Sequence, residues 1–180
     1  LETLHPWLVD NEYSINEQFI DSIIVPGLID PHLHPSMAAV LLPTFFITAM
    51  EWKLPWGTTP ATKTPEAYDE ALKSACTNPT HKDLFITWGH HELWHGPISR
   101  DRINAIESKK PVIVWNRSFH ELCMNDAALD YLDIKEDDVK NASQIDFVKG
   151  RFIELGLGFA IQKLNPFILD PEIFSNGLKK

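Results

Sequence analysis

Apolar residues along this chain fall into short continuous runs set between polar segments rich in proline and glycine. Ile23-Ile24-Val25, Leu84 to Trp88 and Val112 to Trp115 are the clearest. Runs this short, rich in β-branched and aromatic residues, read as buried strands. Between them the spacing changes to a helical period. Thr64-Pro65-Glu66 offers a cap, a proline at the first helical position and an acid in the first turn, ahead of a stripe of Ala67, Ala71, Leu72 and Ala75. Ser99 to Glu107 forms a helix with Ile103 and Ile106 inward, and Asn125 caps a helix ending near Leu132. Leu157 to Leu164 is helical, and Asp170-Pro171-Glu172 opens a last helix.

Other segments are less regular. Leu1 to Asp21 has neither stripe nor alternation. Ser36 caps a helix from Ala38 to about Glu51 that Pro43 kinks or restarts. Lys53 to Lys63 reads as a loop, Lys135 to Asn141 as a charged connector, and Phe147 to Glu154 as strand-like around Gly150. Strands alternating with helices predict an α/β fold with a mainly parallel sheet.

Composition narrows the function. A chain of 180 residues can bury one sizeable core. A net charge of −9 and a pI near 5.3 argue against nucleic acid and favour a small-molecule substrate. No apolar run approaches the roughly 20 residues of a membrane helix. Cys76 and Cys123 make no disulfide framework and read as small core residues, so a cytoplasmic setting is expected. A first residue of Leu1 suggests a piece of a longer polypeptide.

The chemistry concentrates where the first apolar run ends, at Asp30-Pro31-His32-Leu33-His34. On a strand, alternation places Asp30, His32 and His34 on one face, where two imidazoles can grip one ion and the carboxylate can orient one of them. His91-Glu92-Leu93-Trp94-His95 matches the HExxH pattern of zinc proteases. That chemistry needs a helix of several turns, whereas Gly89 precedes the motif and Gly96-Pro97 closes it. His90, His91 and His95 read instead as a loop after a strand end, with Trp88 and Trp94 as an apolar wall for a substrate.

The string Pro26-Gly27-Leu28-Ile29-Asp30-Pro31-His32-Leu33-His34-Pro35 resembles the first-strand signature of the amidohydrolase superfamily. Lys110-Pro111-Val112, then His120, then Asn125-Asp126-Ala127-Ala128-Leu129 resembles its YtcJ-like branch, as does Gly150-Arg151-Phe152-Ile153-Glu154. The resemblance implies a (β/α)8 barrel, present here in part, with an α/β insertion after the first barrel strand. Residues 1–22 would be a remnant preceding the barrel and residues 23–180 its N-terminal part. It implies a divalent metal, zinc foremost, held by His32, His34 and Glu154, with His120 and Asn125 facing the pocket. The implied reaction is hydrolysis of C–N bonds other than peptide bonds, in an amide, formamide or cyclic amide. A complete barrel takes about 250 residues, and the family's later histidines and its aspartate have no match here. The chain alone is therefore expected to be inactive, to hold metal weakly or not at all, and to self-associate through an open sheet edge or the uncovered barrel face. The competing expectation is a folded, non-catalytic binding domain.

Overall fold

Val112, Ile113 and Val114 are each at most 1% exposed, because the strand they form is covered on both faces. The computed structural model describes residues 5–9, 12–27, 34–77 and 83–179. It divides into two compact units, Leu1–Leu33 and His34–Lys180.

In the first unit the described residues contain one short helix, α1 (His5–Leu8), and no strand. Gln18 N–H donates to Asn16 Oδ1 at 2.9 Å and Ser22 N–H to the Phe19 carbonyl at 2.9 Å, forming turns. The buried strand expected from Ile23 is not formed over residues 23–27. Ile23 is 92% exposed, and Ile24 and Val25 are exposed with it. High β-propensity builds a strand only where another strand takes up its backbone groups, and Pro26 offers no N–H. Residues 28–33, including Asp30 and His32, lie outside the described residues.

The second unit opens with α2 (Pro35–Leu41), whose cap position is His34 rather than Ser36. Pro43 follows the helix end, and the chain enters strand β1 (Phe45–Phe46) instead of continuing helical to Glu51. The expected loop at 53–63 contains a hairpin, β2 (Trp52–Leu54) and β3 (Gly57–Thr59). Next comes α3 (Pro65–Cys76), capped by Thr64 Oγ1, which accepts from Ala67 N–H at 3.2 Å. Its buried stripe is Tyr68, Leu72, Ala75 and Cys76, so the helix is turned to bury Tyr68 and expose Ala67. Burying the larger side chain yields the larger hydrophobic gain.

There follow β4 (Phe85–His90), the single turn α4 (Glu92–His95), α5 (Arg100–Ile106) and β5 (Val112–Asn116). Ser99 caps α5 by accepting from Arg102 N–H. The chain then forms β6 (Glu121–Met124), α6 (Asp126–Tyr131), α7 (Glu136–Val139), β7 (Ile145–Asp146) and β8 (Arg151–Ile153). It closes with α8 (Leu155–Ile168) and α9 (Pro171–Leu178), the latter capped by Asp170, which accepts from Glu172 and Ile173 N–H at 3.0 Å.

The sheet order is β1-β4-β5-β6-β8-β7, with β1 and β7 as its edges. β1, β4 and β5 are parallel, whereas β5–β6, β6–β8 and β8–β7 are antiparallel. The sheet is thus parallel in one half only. The few residues joining β5 to β6 form a turn, and so short a link cannot make the crossover that parallel pairing requires. Alternation sorts the core into two layers. Ile113, Trp115 and Leu122 pack with Ala128, Leu129 and Leu164, while Val112, Val114 and Phe85 pack with Tyr68, Leu72 and Ile103. Helices cover both faces, which defines an α/β architecture.

One bulge matters for the site. The β4–β5 register shifts between Trp88 and His90, across Gly89 at φ +112°. A Cβ there would stand 2.3 Å from Thr48 Cγ2 and 2.7 Å from the Ile47 carbonyl oxygen. The extra residue turns His90 onto the face of Tyr68, where strict alternation would have placed it with Trp88.

Candidate functional site

Strand directions bring several polar termini to one end of the sheet. The parallel strands β4 and β5 end there at His90 and Asn116, β6 begins there at Glu121, and β8 ends there at Ile153 opposite Glu121. Open α/β sheets carry their ligand sites outside the carboxyl ends of their strands.

The connection between β5 and β6 is held on every side. Arg117 N–H donates to the His90 carbonyl at 2.9 Å, Phe119 N–H to the Asn116 carbonyl at 3.0 Å, and Glu154 N–H to the His120 carbonyl at 3.0 Å. Ser118 N–H donates to Asn116 Oδ1 at 2.9 Å, and His120 N–H to Ser118 Oγ at 3.2 Å. Phe119 adopts φ +67° and sets its ring 5.3 Å from Trp88 and 6.0 Å from Trp115. That wedge anchors the loop in the core and leaves Arg117, Ser118 and His120 exposed.

His120 meets Glu154 across this end. Its Nδ1 lies 3.1 Å from Oε1 and 3.2 Å from Oε2, and the side chains are 65% and 51% exposed. A contact so open to solvent contributes under about 1 kcal/mol. Yet Glu154 itself sits at φ +47°, and such strain costs about 1–3 kcal/mol per residue. Stability alone does not account for two strained residues around a weak pair. With Nδ1–H donating to the carboxylate, Nε2 is left as the basic atom of the imidazole.

The remaining expected residues are placed differently. Trp88 is 5% exposed and lies under Phe46, Trp52 and Phe119 at 5.2–5.3 Å, so it supports the loop from beneath instead of walling an open pocket. Asn125 is fully buried, and its amide is used up within the fold. Oδ1 accepts from Val112 N–H and Ala128 N–H, both at 2.9 Å, while Nδ2 donates to the Glu107 and Lys110 carbonyls at 2.8 and 2.9 Å. It is a helix cap and a clamp on β5, not a pocket contact. His34 is exposed at the start of α2.

The zinc-protease motif does not assemble. His95 is buried, its Nδ1 accepts from His91 N–H at 3.0 Å, and its Nε2 donates to the Thr62 carbonyl at 2.8 Å. Both nitrogens are occupied, and α4 ends after one turn at Gly96, φ +69°. His90 lies beside it, 1% exposed, with Nε2 donating to the Gly96 carbonyl at 3.1 Å. Burial, reinforced by neighbouring His95, pushes the His90 pKa down to about 3, and burial lowers that of His95 as well. Tyr68 stacks on His95 at 4.4 Å, and burial raises its phenol above the ordinary value. The thiols of Cys76 and Cys123 are raised to about 11 and about 12 by burial, which makes them unreactive core residues.

Among the described residues no three His, Cys, Asp or Glu side chains converge as a metal-binding group. Of the expected ligands His34 and Glu154 are described and belong to no such group; by donor type alone, imidazole nitrogen with carboxylate oxygen suits a borderline divalent ion. Arg117 and the Glu121–Arg151 pair, 2.5 Å at its shortest, complete the polar rim. No sequence pattern marked either of them.

No family model matches the sequence, and no curated protein matches it. Among solved structures the fold is shared with an uncharacterized metal-dependent hydrolase from Pyrococcus horikoshii, at 22% identity and a TM-score of 0.57 over 83% of this chain. It is shared equally with an uncharacterized metal-dependent hydrolase from Pyrococcus furiosus, at 20% identity and a TM-score of 0.57 over 85%. This chain spans 26% and 28% of their lengths. The fold is therefore that of one part of these hydrolases. Among the described residues no helix is long and apolar enough to cross a membrane.

Proposed function

We propose that this chain contributes the first part of a metal-dependent hydrolase acting on C–N bonds other than peptide bonds, in an amide, formamide or cyclic amide. The observation that carries the reading is the convergence of His120 and Glu154, 34 residues apart, at the sheet end where β4 and β5 terminate, with positive φ at Glu154 and at Phe119 beside His120. The shared fold with two metal-dependent hydrolases supports it. In this reading the sheet is part of a (β/α)8 barrel of the amidohydrolase type, YtcJ-like branch, and the protein works in the cytoplasm.

His32, His34 and Glu154 would hold the divalent ion, for which zinc suits the mixed nitrogen and oxygen donors. When bound, such an ion lowers the pKa of a coordinated water and polarises the substrate carbonyl. A carboxylate has about four lone-pair sites, so the hydrogen bond to His120 leaves Glu154 able to ligate. His120, held by Glu154 through Nδ1, presents Nε2 to accept a proton or a hydrogen bond from substrate. Trp88 and Asn125 act behind it, the first by seating Phe119 and the second by fixing β5. Taken alone, the chain would be inactive and would associate through its open edges, β1 and β7.

The test compares zinc content and amidase turnover of the natural polypeptide with those of a His32→Ala, His34→Ala variant. Both should fall to background. If both are unchanged the reading fails, and if the natural polypeptide shows neither, a non-catalytic binding domain takes its place.

A further inference from the structure

The β4 and β5 ends carry an open, solvent-facing depression of about 410 Å³ lined by His91, Glu92, Asn116, Arg117 and Ser118. That volume falls in the range of small-molecule sites. Its lining is rich in unused hydrogen-bond donors. Asn116 Oδ1 already accepts from Ser118 N–H, which leaves the amide Nδ2 to donate. Ser118 Oγ accepts from His120 N–H, which leaves its hydroxyl hydrogen. His91 Nδ1 accepts from Leu93 N–H at 3.2 Å, so the neutral ring carries its proton on Nε2.

Arg117 adds the charge. The chain has four arginines, and Arg100, Arg102 and Arg151 are each paired with a carboxylate, on Asp126, Asp69 and Glu121. The Arg117 guanidinium alone has no partner among the described residues. Glu92 shares the depression without coming within ion-pair distance of it, and lies instead in the field of Arg151. The loop carrying Arg117 is pinned by a backbone bond to His90 and by the Phe119 wedge, so the point from which the guanidinium projects is fixed before a ligand arrives. Planar guanidinium with adjacent neutral donors is the usual recognition chemistry for a carboxylate.

We propose that the depression beside His120 and Glu154 binds a carboxylate of the substrate through Arg117, His91, Asn116 and Ser118, so that the substrate is an amide bearing a free carboxylate. This rests on the hydrolase reading for the word substrate, but not for the binding itself. Arg117 sets specificity, and the cleavage chemistry remains with the groups at His120 and Glu154.

The experiment is binding without turnover, on the full 180-residue chain. N-acetylglycine and its uncharged methylamide are titrated by calorimetry or by chemical-shift perturbation, against wild type, Arg117→Met and Arg117→Lys. Wild type should bind the carboxylate at least tenfold tighter than the methylamide. Arg117→Met should erase that preference, and Arg117→Lys should keep part of it. Equal binding of the two probes by wild type, no binding of either, or an unchanged preference in Arg117→Met would overturn the proposal. A carboxylate preference that depends on Arg117 upholds it even where the zinc and turnover test fails, so the two failures are separable.

Discussion

Replacing Asn125 by alanine should unfold more of this protein's stability than almost any other single polar change. The side chain is fully buried and joins four backbone groups from three places: Val112 N–H at the start of β5, Ala128 N–H in the first turn of α6, and the Glu107 and Lys110 carbonyls between α5 and β5. Losing an N-cap costs about 1 kcal/mol. Each buried backbone group left without a partner costs about 1–3 kcal/mol, less where water can enter. Asn125→Ala should therefore lose about 3–5 kcal/mol, a large part of the roughly 5–15 kcal/mol expected of a whole domain. For a chain of this size that lowers the melting temperature by roughly 10 °C. Urea unfolding followed by tryptophan fluorescence and circular dichroism measures it. Asn125→Asp is the control, since it keeps the acceptor for both N–H groups but sets a carboxylate oxygen against two carbonyls, and it should be no more stable than alanine at pH 7. A loss under about 1 kcal/mol in Asn125→Ala would refute the clamp and return Asn125 to the role of a ligand contact.

Four further outcomes are expected. His90, with a folded pKa near 3, and His95, also lowered, bind fewer protons folded than unfolded. The His90 contribution is fully present above about pH 6.5 and is lost as pH falls toward 3, at up to about 1.4 kcal/mol per pH unit, and His95 adds to the loss in the same direction. Urea midpoints from pH 7 to 4 should show that slope, and His90→Gln should flatten it. Gly89→Ala combines φ +112° with a Cβ 2.3 Å from Thr48 Cγ2, so it should cost at least about 2 kcal/mol; a stable variant with an unshifted His90 ring resonance would contradict the bulge. The Tyr68 hydroxyl is buried with no partner among the described residues, so Tyr68→Phe should be neutral or stabilising by thermal melting. Arg102 donates to Asp69 and to the Pro65, His95 and Pro97 carbonyls, tying α3 to the turn after α4. Arg102→Met should cost about 2–4 kcal/mol, and a melting temperature unchanged within 2 °C would count against it.

Much of the helical plan was legible along the chain because a cap is a local event. Thr64, Ser99, Asn125 and Asp170 each accept from an N–H two or three residues onward, and each marks a helix start that the structure contains. The central strands β4 and β5 were legible too, since burial on both faces requires an unbroken apolar run. What depends on distant partners was not. Ile23 to Val25 has the composition of a strand and is exposed, whereas β7, of two residues, exists only because β8 pairs with it. The phase of α3 follows from the space available to Tyr68, which no local stripe specifies. The same division holds at the site. Motif positions singled out His120 and Glu154 separately, but only the antiparallel pairing of β6 with β8 sets their side chains 3.1 Å apart. Conversely, HExxH was written plainly in the residues, and the fold dissolved it by burying His95 against the Thr62 carbonyl. Short-range hydrogen bonds are encoded where they occur, while register, burial and the meeting of remote side chains are settled by the packing of the whole chain.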